Sequence, residues 1–383
     1  MPRAFALIFA LACLSLLPRA QASGEMLKSE TGFYVDMPAG FTLIDGDGKT
    51  RFAFQDPNGG MEFDIRIYDS GRYADSAAMA QDVATKLKSE GEVEGFGYEG
   101  RKATMAELRF LLNGQSMRGY GMFLGGAKTE KSFALLAYCA EPKFEAYADF
   151  ILSCLDAFSF DRAALRDPGP ISQYLLAWPP ERKGAKQVRL PGDITVGLPW
   201  SPEEAQAETD TAGREYRVLT TYAQSDTLWL DAWSRFYRMV YRESAARLDR
   251  LAVEISRGLP QADPTESARR VLAWVQGFVY ERDTKGIDFV TPLVGAYEGR
   301  GDCDSRAVVM AAILERLGID CVLMISREYS HAMLAVDVPG GGQRFPWRGK
   351  QYLVAETPAK VGLGMIAQTQ TDWSKWLGVD LGQ

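Results

Sequence analysis

The stretch that decides the fold is Gly301-Asp302-Cys303-Asp304-Ser305-Arg306-Ala307, near the C-terminus of this 383-residue chain. Gly301 permits a tight turn and Asp302 is a good N-cap. An apolar face then runs from Ala307 to Leu317, so the pattern predicts a helix that starts at Cys303. The positive end of the helix dipole and its unsatisfied N–H groups favour an anion. We therefore expect the pKa of the Cys303 thiol to be lowered and its N–H group to be available to an oxyanion.

His331 is the single histidine of the chain. Imidazole is the side chain whose ordinary pKa lies near neutrality, so any histidine-dependent chemistry must use this residue. One histidine also excludes a zinc centre with several histidine ligands, and we expect neither a metal nor a cofactor. Strands over 319–326 and 331–338 are predicted to follow the helix, which places the imidazole beside its start.

An imidazole that acts as a base needs a carboxylate to orient it. Asp337 is excluded because six residues along one strand separate it from His331 by roughly 20 Å. Glu356 ends a further predicted strand over 351–356 and can pair laterally with His331 if the strand register is suitable. Glu356 is therefore the candidate.

These residues give the segment at about 265–365 a resemblance to the transglutaminase-like superfamily. The resemblance rests on four stretches: the Cys303 stretch quoted above, Trp274-Val275-Gln276-Gly277-Phe278-Val279-Tyr280, Ser330-His331-Ala332-Met333-Leu334-Ala335-Val336 and Tyr352-Leu353-Val354-Ala355-Glu356-Thr357. Two features depart from the family pattern. The acid is usually Asp, and Thr-Pro follows Glu356 where Thr-Thr is common.

The resemblance implies a papain-like core, in which a helix packs on an antiparallel sheet. It also implies a triad with Cys303 as nucleophile, His331 as general base and acid, and Glu356 as orienting carboxylate. Such a triad acts on amide bonds by hydrolysis or by transfer to an amine. Tyr280 or Gln276 would supply a second oxyanion donor.

Residues 25–165 predict a separate α/β sandwich with the order strand, hairpin, helix, three strands and helix. The segment opens with Phe33-Tyr34-Val35-Asp36-Met37-Pro38-Ala39-Gly40-Phe41 and resembles the PsbP/Mog1-like domains that are common in exported bacterial proteins. The chain as a whole is therefore expected to be α+β. The last domain is predicted over 263–383, with Asp263, Pro264 and Glu266 forming a capped helix start.

Residues 166–262 are interpreted as a connector between these two domains. It is predicted to contain strands over 194–198 and 216–222 and one long helix over 227–256. The aromatic stripe of this helix is expected to be buried against a neighbouring domain. Its arginines are expected to lie on a solvated face; they are Arg235, Arg238, Arg242, Arg247 and Arg250.

The N-terminus predicts export. Residues 1–22 contain Arg3, an apolar stretch over 4–17 and Ala20-Gln21-Ala22, which together are typical of a signal peptide. A lipoprotein anchor at Cys13 is the alternative, and no transmembrane segment is expected once the signal is removed. The expected location is the periplasm or the cell envelope. A net charge of −7 gives no electrostatic reason to expect nucleic acid as a partner.

The remaining cysteines are Cys139, Cys154, Cys303 and Cys321. Cys303 and Cys321 are predicted at opposite ends of one helix, which is too far for a disulfide, and Cys154 falls on an apolar helix face. Cys303 is therefore expected to be unpaired, whereas the disulfide state of Cys139 and Cys154 is left open.

Two functions remain open at this stage. The first is an exported cysteine hydrolase, a peptidase or amidase, that forms a thioester on a protein or peptide substrate. Hydrolysis is preferred to crosslinking because no sequence feature supplies an amine-acceptor site. The second is a catalytically inactive binding or scaffolding protein of the envelope, whose N-terminal sandwich and aromatic helix contact the partner.

Overall fold

The structure is a computed structural model that mixes helices with antiparallel sheets, in agreement with the α+β prediction. It describes residues 26–125, 131–260, 263–282, 287 and 289–381. The predicted signal peptide and Cys13 lie outside these residues. Within them, no helix combines the length and the apolarity needed to cross a membrane.

The N-terminal part is built on a seven-stranded antiparallel sheet with the order β3-β4-β5-β9-β8-β7-β6. Its elements are β1 (Leu27–Lys28), β2 (Tyr34–Val35), β3 (Thr42–Gly46), β4 (Arg51–Gln55), β5 (Met61–Tyr68), α1 (Ser76–Leu87), β6 (Val93–Tyr98), β7 (Arg101–Leu112), β8 (Gln115–Leu124), β9 (Ser132–Ala140), α2 (Phe144–Asp156) and β10 (Phe158–Ser159).

The two helices cover opposite faces of this sheet. Met79 of α1 packs with Leu108 on one face, whereas Ile151 and Cys154 of α2 pack with Phe63 on the other. Successive side chains of a strand point to opposite faces, so one sheet supplies both apolar surfaces. The predicted hairpin over 51–68 is present, with Phe54 opposite Phe63.

The middle of the chain contains more helix than the sequence predicts. Its elements are α3 (Pro170–Leu175), β11 (Gly184–Leu190), β12 (Ile194–Trp200), α4 (Pro202–Thr220), α5 (Trp229–Ala245) and α6 (Asp249–Arg257). The strand predicted over 216–222 is wrong, because these residues lie mainly in α4, which Ser201 caps by accepting a hydrogen bond from the Glu204 N–H group. The single long helix is also wrong, since a turn separates α5 from α6.

The C-terminal part places helices beside a five-stranded antiparallel sheet with the order β15-β16-β14-β13-β17. Its elements are α7 (Pro264–Val275), α8 (Pro292–Glu298), α9 (Cys303–Arg316), β13 (Cys321–Ser326), β14 (His331–Val336), β15 (Arg344–Trp347), β16 (Lys350–Ala355) and β17 (Leu377–Asp380). Asp263 caps α7 as predicted, but the Glu266 carboxylate pairs with Arg269 and Arg270 instead of closing a capping box.

One apolar core joins the middle and C-terminal parts. A single buried cluster includes Val188 of β11, Val240 of α5 and Val309 of α9. The aromatic stripe of α5 is buried in it, and the Phe236 ring meets the Phe289 ring edge-to-face at 5.8 Å. The helices that were interpreted as a connector are therefore part of the scaffold that supports α9.

The prediction of a solvated arginine face is wrong for Arg235, Arg242 and Arg247, although Arg250, now in α6, is exposed as predicted. Only 3% of Arg235 and 4% of Arg242 is exposed, and Arg247, in the turn after α5, is 1% exposed. Arg235 Nη1 lies 2.7 Å from Glu215 Oε2 of α4. The other oxygen of Glu215 accepts a hydrogen bond from Arg214, which also pairs with Asp156 of α2.

We call this set the arginine network; it consists of Asp156, Arg214, Glu215 and Arg235. Burying ions costs several kcal/mol each unless each one has a partner. The pairing partners come from α2, α4 and α5, so the network fixes these three helices relative to one another.

The arginine network predicts a large loss of stability when one member is removed. Glu215→Ala leaves the buried guanidinium group of Arg235 without its carboxylate and removes one of the two carboxylates of Arg214, and we expect it to lower the free energy of unfolding by about 3–5 kcal/mol. Urea denaturation measures the effect. The control is Glu254→Ala, whose ion pair with Arg257 is at the surface and is expected to contribute less than about 1 kcal/mol. Equal losses in the two variants would show that the network does not stabilise the fold.

Candidate active site

The start of α9 has the geometry that the sequence predicts. Asp302 Oδ1 accepts a hydrogen bond from the Ser305 N–H group at 3.1 Å, so Asp302 is the N-cap. Gly301 has φ +148°, and a Cβ atom there would lie 2.6 Å from Ser305 Cβ. Glycine is therefore required at 301, because the backbone has a positive φ and there is no room for a Cβ atom.

His331 and Glu356 are brought together by the register of β14 and β16. The last pair of this ladder is Leu334 with Ala355. Extending the ladder by one residue puts Glu356 opposite Met333, two residues from His331 and on the same face. His331 Nε2 lies 3.1 Å from Glu356 Oε1 and 3.0 Å from Oε2.

This pair is largely withdrawn from solvent. The His331 side chain is 15% exposed and the Glu356 side chain 7% exposed. The Trp376 ring meets the imidazole edge-to-face at 6.0 Å. Because Nε2 faces the carboxylate, Nδ1 is the nitrogen that remains available for proton transfer.

The Cys303 sulfur lies beside the start of β14. The backbone N–H group of Ala332, the residue after His331, is directed at this sulfur. The thiol itself donates to Asp304 Oδ1, with a distance of 3.2 Å between Sγ and the oxygen. Within the part of the chain that the structure describes, no hydrogen bond joins Cys303 to His331. The structure thus brings the cysteine next to the histidine strand but directs its proton towards Asp304.

The surroundings raise the pKa of the Cys303 thiol above its ordinary value. Burial is the largest cause, and the carboxylates of Asp304 and Asp302 add to it because they repel a thiolate. The Ala332 N–H group acts in the opposite direction. The sequence-based expectation of a lowered pKa is therefore wrong for this arrangement. The resting group is a neutral thiol, which needs a base when it attacks.

Asp304 also contacts the middle of the molecule. Its Oδ2 atom accepts a hydrogen bond from the Tyr237 hydroxyl of α5 at 2.5 Å. Burial, followed by the Asp304 charge, raises the pKa of Tyr237 well above its ordinary value, so the hydroxyl remains a donor. Sequence reasoning missed both residues. The aromatic stripe indicated that Tyr237 is buried, but no local pattern identifies Asp304 as its partner.

Asp302 is the second carboxylate near the thiol. Burial, followed by repulsion from Asp304, raises the pKa of Asp302 to about 6. Asp302 is therefore mainly ionised at neutral pH, and it opposes ionisation of Cys303 together with Asp304.

The two candidate oxyanion donors differ. Gln276 Nε2 donates to the carbonyl oxygens of Glu356 at 2.8 Å and of Val361 at 2.9 Å. Both of its protons are engaged, so this geometry leaves none for an oxyanion, and Gln276 instead holds the end of β16. Tyr280 is 58% exposed. Burial is the largest cause of a raised pKa of its phenol, and Cys303 and Asp302 add to it.

A short parallel bridge forms the approach to Cys303. The Val279 N–H group donates to the Gly299 carbonyl at 2.8 Å, and the Gly301 N–H group donates to the Val279 carbonyl at 2.9 Å. Val279 is 67% exposed beside this bridge. Val279 and Gly299 also line a cavity of about 650 Å³, but Cys303 does not line it. Val279 thus exposes apolar surface beside the backbone bridge that leads to Gly301.

Comparison with known proteins gives distant structural similarity. No family model matches the chain, and no curated protein is detectably similar to it. The chain is similar to cyanobacterial PsbP (CyanoP) of Synechocystis sp. PCC 6803, with 14% identity and a TM-score of 0.30, over 35% of this chain and 91% of that one.

Two further structures are similar at the same level. The Ran-binding protein Mog1p of Saccharomyces cerevisiae has 9% identity and a TM-score of 0.28, over 36% of this chain and 96% of that one. A protein of Bacteroides thetaiotaomicron VPI-5482 has 11% identity and a TM-score of 0.27, over 77% of this chain and 97% of that one. The PsbP and Mog1p structures thus each overlap about a third of the chain.

Proposed function

We propose that this chain is an exported, transglutaminase-like cysteine hydrolase that cleaves amide bonds of protein or peptide substrates through a thioester. The observation that carries the proposal is the contact of His331 Nε2 with both oxygens of Glu356, at 3.0 and 3.1 Å. His331 begins β14, and the N–H group of the next residue, Ala332, faces the Cys303 sulfur. Export is proposed from the sequence of residues 1–22.

The first chemical step joins sulfur to the substrate. Cys303 Sγ turns from Asp304 towards the imidazole and attacks the amide carbonyl carbon, while its proton passes to His331 Nδ1. Glu356 stabilises the imidazolium that forms. The Cys303 N–H group and the Tyr280 hydroxyl are the proposed donors to the oxyanion.

The second step releases the products. His331 returns its proton to the nitrogen of the leaving amine, and the C–N bond breaks to leave a thioester on Cys303. Water then attacks the thioester, giving one proton to His331, and the thiol leaves with that proton. The net reaction adds one water molecule to one amide bond, and it requires no metal or cofactor.

One observation favours a second function. The thiol donates to Asp304, and burial raises its pKa, which is the environment of an unreactive cysteine. A catalytically inactive binding protein of the envelope would keep the same fold with such a thiol. The experiments below separate the two functions.

A peptidyl chloromethyl ketone tests the nucleophile, because this probe alkylates a cysteine that attacks a carbonyl-like carbon in an organised site. We expect one adduct, located at Cys303 by peptide mass spectrometry and absent from Cys303→Ala. The control is Cys154→Ala, which removes a fully buried thiol and leaves labelling intact. An adduct at Cys139, Cys154 or Cys321 instead of Cys303 would refute the assignment.

The orienting role of Glu356 is tested with the same probe. Glu356→Gln retains the shape of the side chain but cannot stabilise an imidazolium, so the rate constant of inactivation should fall at least about tenfold. The matched control is Asp337→Asn at the other end of β14, where the carboxylate pairs with exposed Lys350. Its rate should be unchanged. Equal rates for the wild type and Glu356→Gln would remove Glu356 from the mechanism.

Alkylation of Cys303 by iodoacetamide across a pH series tests the role of Asp304. Asp304→Asn removes a negative charge next to the sulfur, which stabilises the thiolate. The pKa of Cys303 should therefore fall, and alkylation near neutral pH should become several-fold faster. The control is Asp82→Asn on the surface of α1.

The same pH series separates the two functions. A hydrolase requires that His331→Ala also shifts the pH dependence of alkylation, since the imidazole exchanges a proton with the thiol. A binding protein predicts no effect of His331→Ala. A pH profile that Asp304→Asn leaves unaltered would show that Asp304 does not control the thiol.

A further inference from the structure

A cavity of about 400 Å³ lies away from the candidate active site, where the N-terminal part, α5 and the C-terminus meet. Asp36 lines it from the N-terminal part, Met239 from α5 and Leu381 from the C-terminus. Its volume is in the range of sites that hold small organic molecules. We call it the basic cavity for the reason that follows.

Four arginines and one aspartate line the basic cavity; they are Arg162, Arg166, Arg238, Arg242 and Asp36. Both carboxylate oxygens of Asp36 accept hydrogen bonds from one of these arginines. Arg238 Nε donates to one oxygen of Asp36 at 2.8 Å, and Nη2 donates to the other at 2.7 Å. The other three arginines, Arg162, Arg166 and Arg242, form no ion pair with Asp36, and they give the lining its basic character.

Arg242 is buried without a carboxylate partner among the described residues. Its N–H groups donate to the carbonyl oxygens of Asp156, Phe158 and Asp167 and to the Tyr98 hydroxyl. These neutral acceptors satisfy the donors. The carboxylates that interact with Arg242 electrostatically, those of Asp156, Asp167 and Glu99, form no hydrogen bond with it among the described residues.

Arg166 and Arg162 provide the donors that an anion needs. The Nη2 atom of Arg166 is buried and has no hydrogen-bond acceptor among the described residues. Its nearest carboxylate oxygen, on Asp249, is 4.0 Å away, which is too far for a hydrogen bond. Arg162 is exposed, and within the described residues it forms no ion pair. The Arg166 side chain as a whole is 32% exposed and lines the cavity, so its guanidinium group is within reach of an anion bound there.

The remaining lining is apolar. Met26, Leu165, Met239 and Leu381 form the walls. We propose that the basic cavity binds a small amphiphilic organic anion, with an apolar body against these walls and a carboxylate or phosphate head held by the arginines. Guanidinium groups bind both heads in a bidentate manner.

A neighbouring groove gives such a ligand a way in. It shares Met26, Arg162 and Arg238 with the basic cavity and continues along Lys28 and Trp347. Arg162 therefore lies where an anion would pass from the groove to the cavity. This site is independent of Cys303 and does not rest on the proposed hydrolase function.

Titration calorimetry on the purified full-length protein tests the ligand class with five probes. Decanoate and decyl phosphate have both an anionic head and an apolar body. Decanol lacks the charge, and acetate and inorganic phosphate lack the body. We expect the first two to bind at least about tenfold more tightly than the other three. Decanol loses the charge-assisted contacts of the head, and the two small anions lose the apolar contacts of the body. The ratio of decanoate to decyl phosphate affinity identifies the preferred head.

Two variants locate the site. Arg166→Gln removes the buried donor, and Ala163→Trp fills the cavity from an exposed lining position. Each should weaken decanoate and decyl phosphate binding at least about tenfold, while thermal unfolding shows that the variant is folded. The control is Arg189→Gln, which removes an exposed arginine outside the cavity and should leave both affinities unchanged.

Three results would overturn the proposal. The first is that neither amphiphile binds the wild-type protein. The second is that decanol or inorganic phosphate binds as tightly as the amphiphiles, which would mean that only one half of the ligand is recognised. The third is that Ala163→Trp and Arg166→Gln, both folded, bind the amphiphiles as the wild type does, which would place the ligand elsewhere.

Discussion

The ion pair between Glu215 and Arg235 is the contact on which the rest of the structure depends. Both residues are almost completely buried, and each would be costly to leave without the other. The pair fixes α5 against α4, and Arg214 extends the same network to Asp156 of α2. Charge pairing therefore holds the N-terminal sandwich against the middle helices, and the shared apolar core joins these helices to the C-terminal sheet. Arrangements with a different helix position would expose apolar surface and also separate buried charges.

The position of α5 determines the environment of the candidate nucleophile. Tyr237 is two residues from Arg235 on this helix, and its hydroxyl holds one oxygen of Asp304. The other oxygen accepts the Cys303 thiol proton. Two local effects thus oppose each other at the sulfur, since the helix terminus favours a thiolate while burial and two carboxylates disfavour it. The carboxylates and burial prevail, because their effect comes from groups in direct contact with the sulfur in a poorly solvated site.

Local sequence patterns were sufficient for the start of α9 and for the choice of Glu356. The Asp302 cap, the turn at Gly301 and the apolar alternation in β14 and β16 each depend on only a few neighbouring residues. These two strands are also close together in the sequence. The strand predicted over 216–222 failed because the capped start of α4, some fifteen residues earlier, determines that segment. The arginines of α5 and Arg247 looked solvated for a related reason. Partners such as Glu215 of Arg235 and Glu204 of Arg247 lie on α4, and pairing between distant elements leaves no trace in the local pattern.

The neutral thiol does not by itself decide between a hydrolase and a binding protein. A thiolate that is stable at rest is one way to obtain a nucleophile; a base that removes the proton during attack is another. The second way requires an imidazole held by a carboxylate, with its other nitrogen available, and His331 has this arrangement. For a binding protein, a largely buried histidine in contact with Glu356 is a desolvation cost without a function. Its location one residue from the N–H group that faces the sulfur would then be a coincidence. The geometry around His331 therefore supports the proposed hydrolase, whose first step would have to move the Cys303 proton to a base.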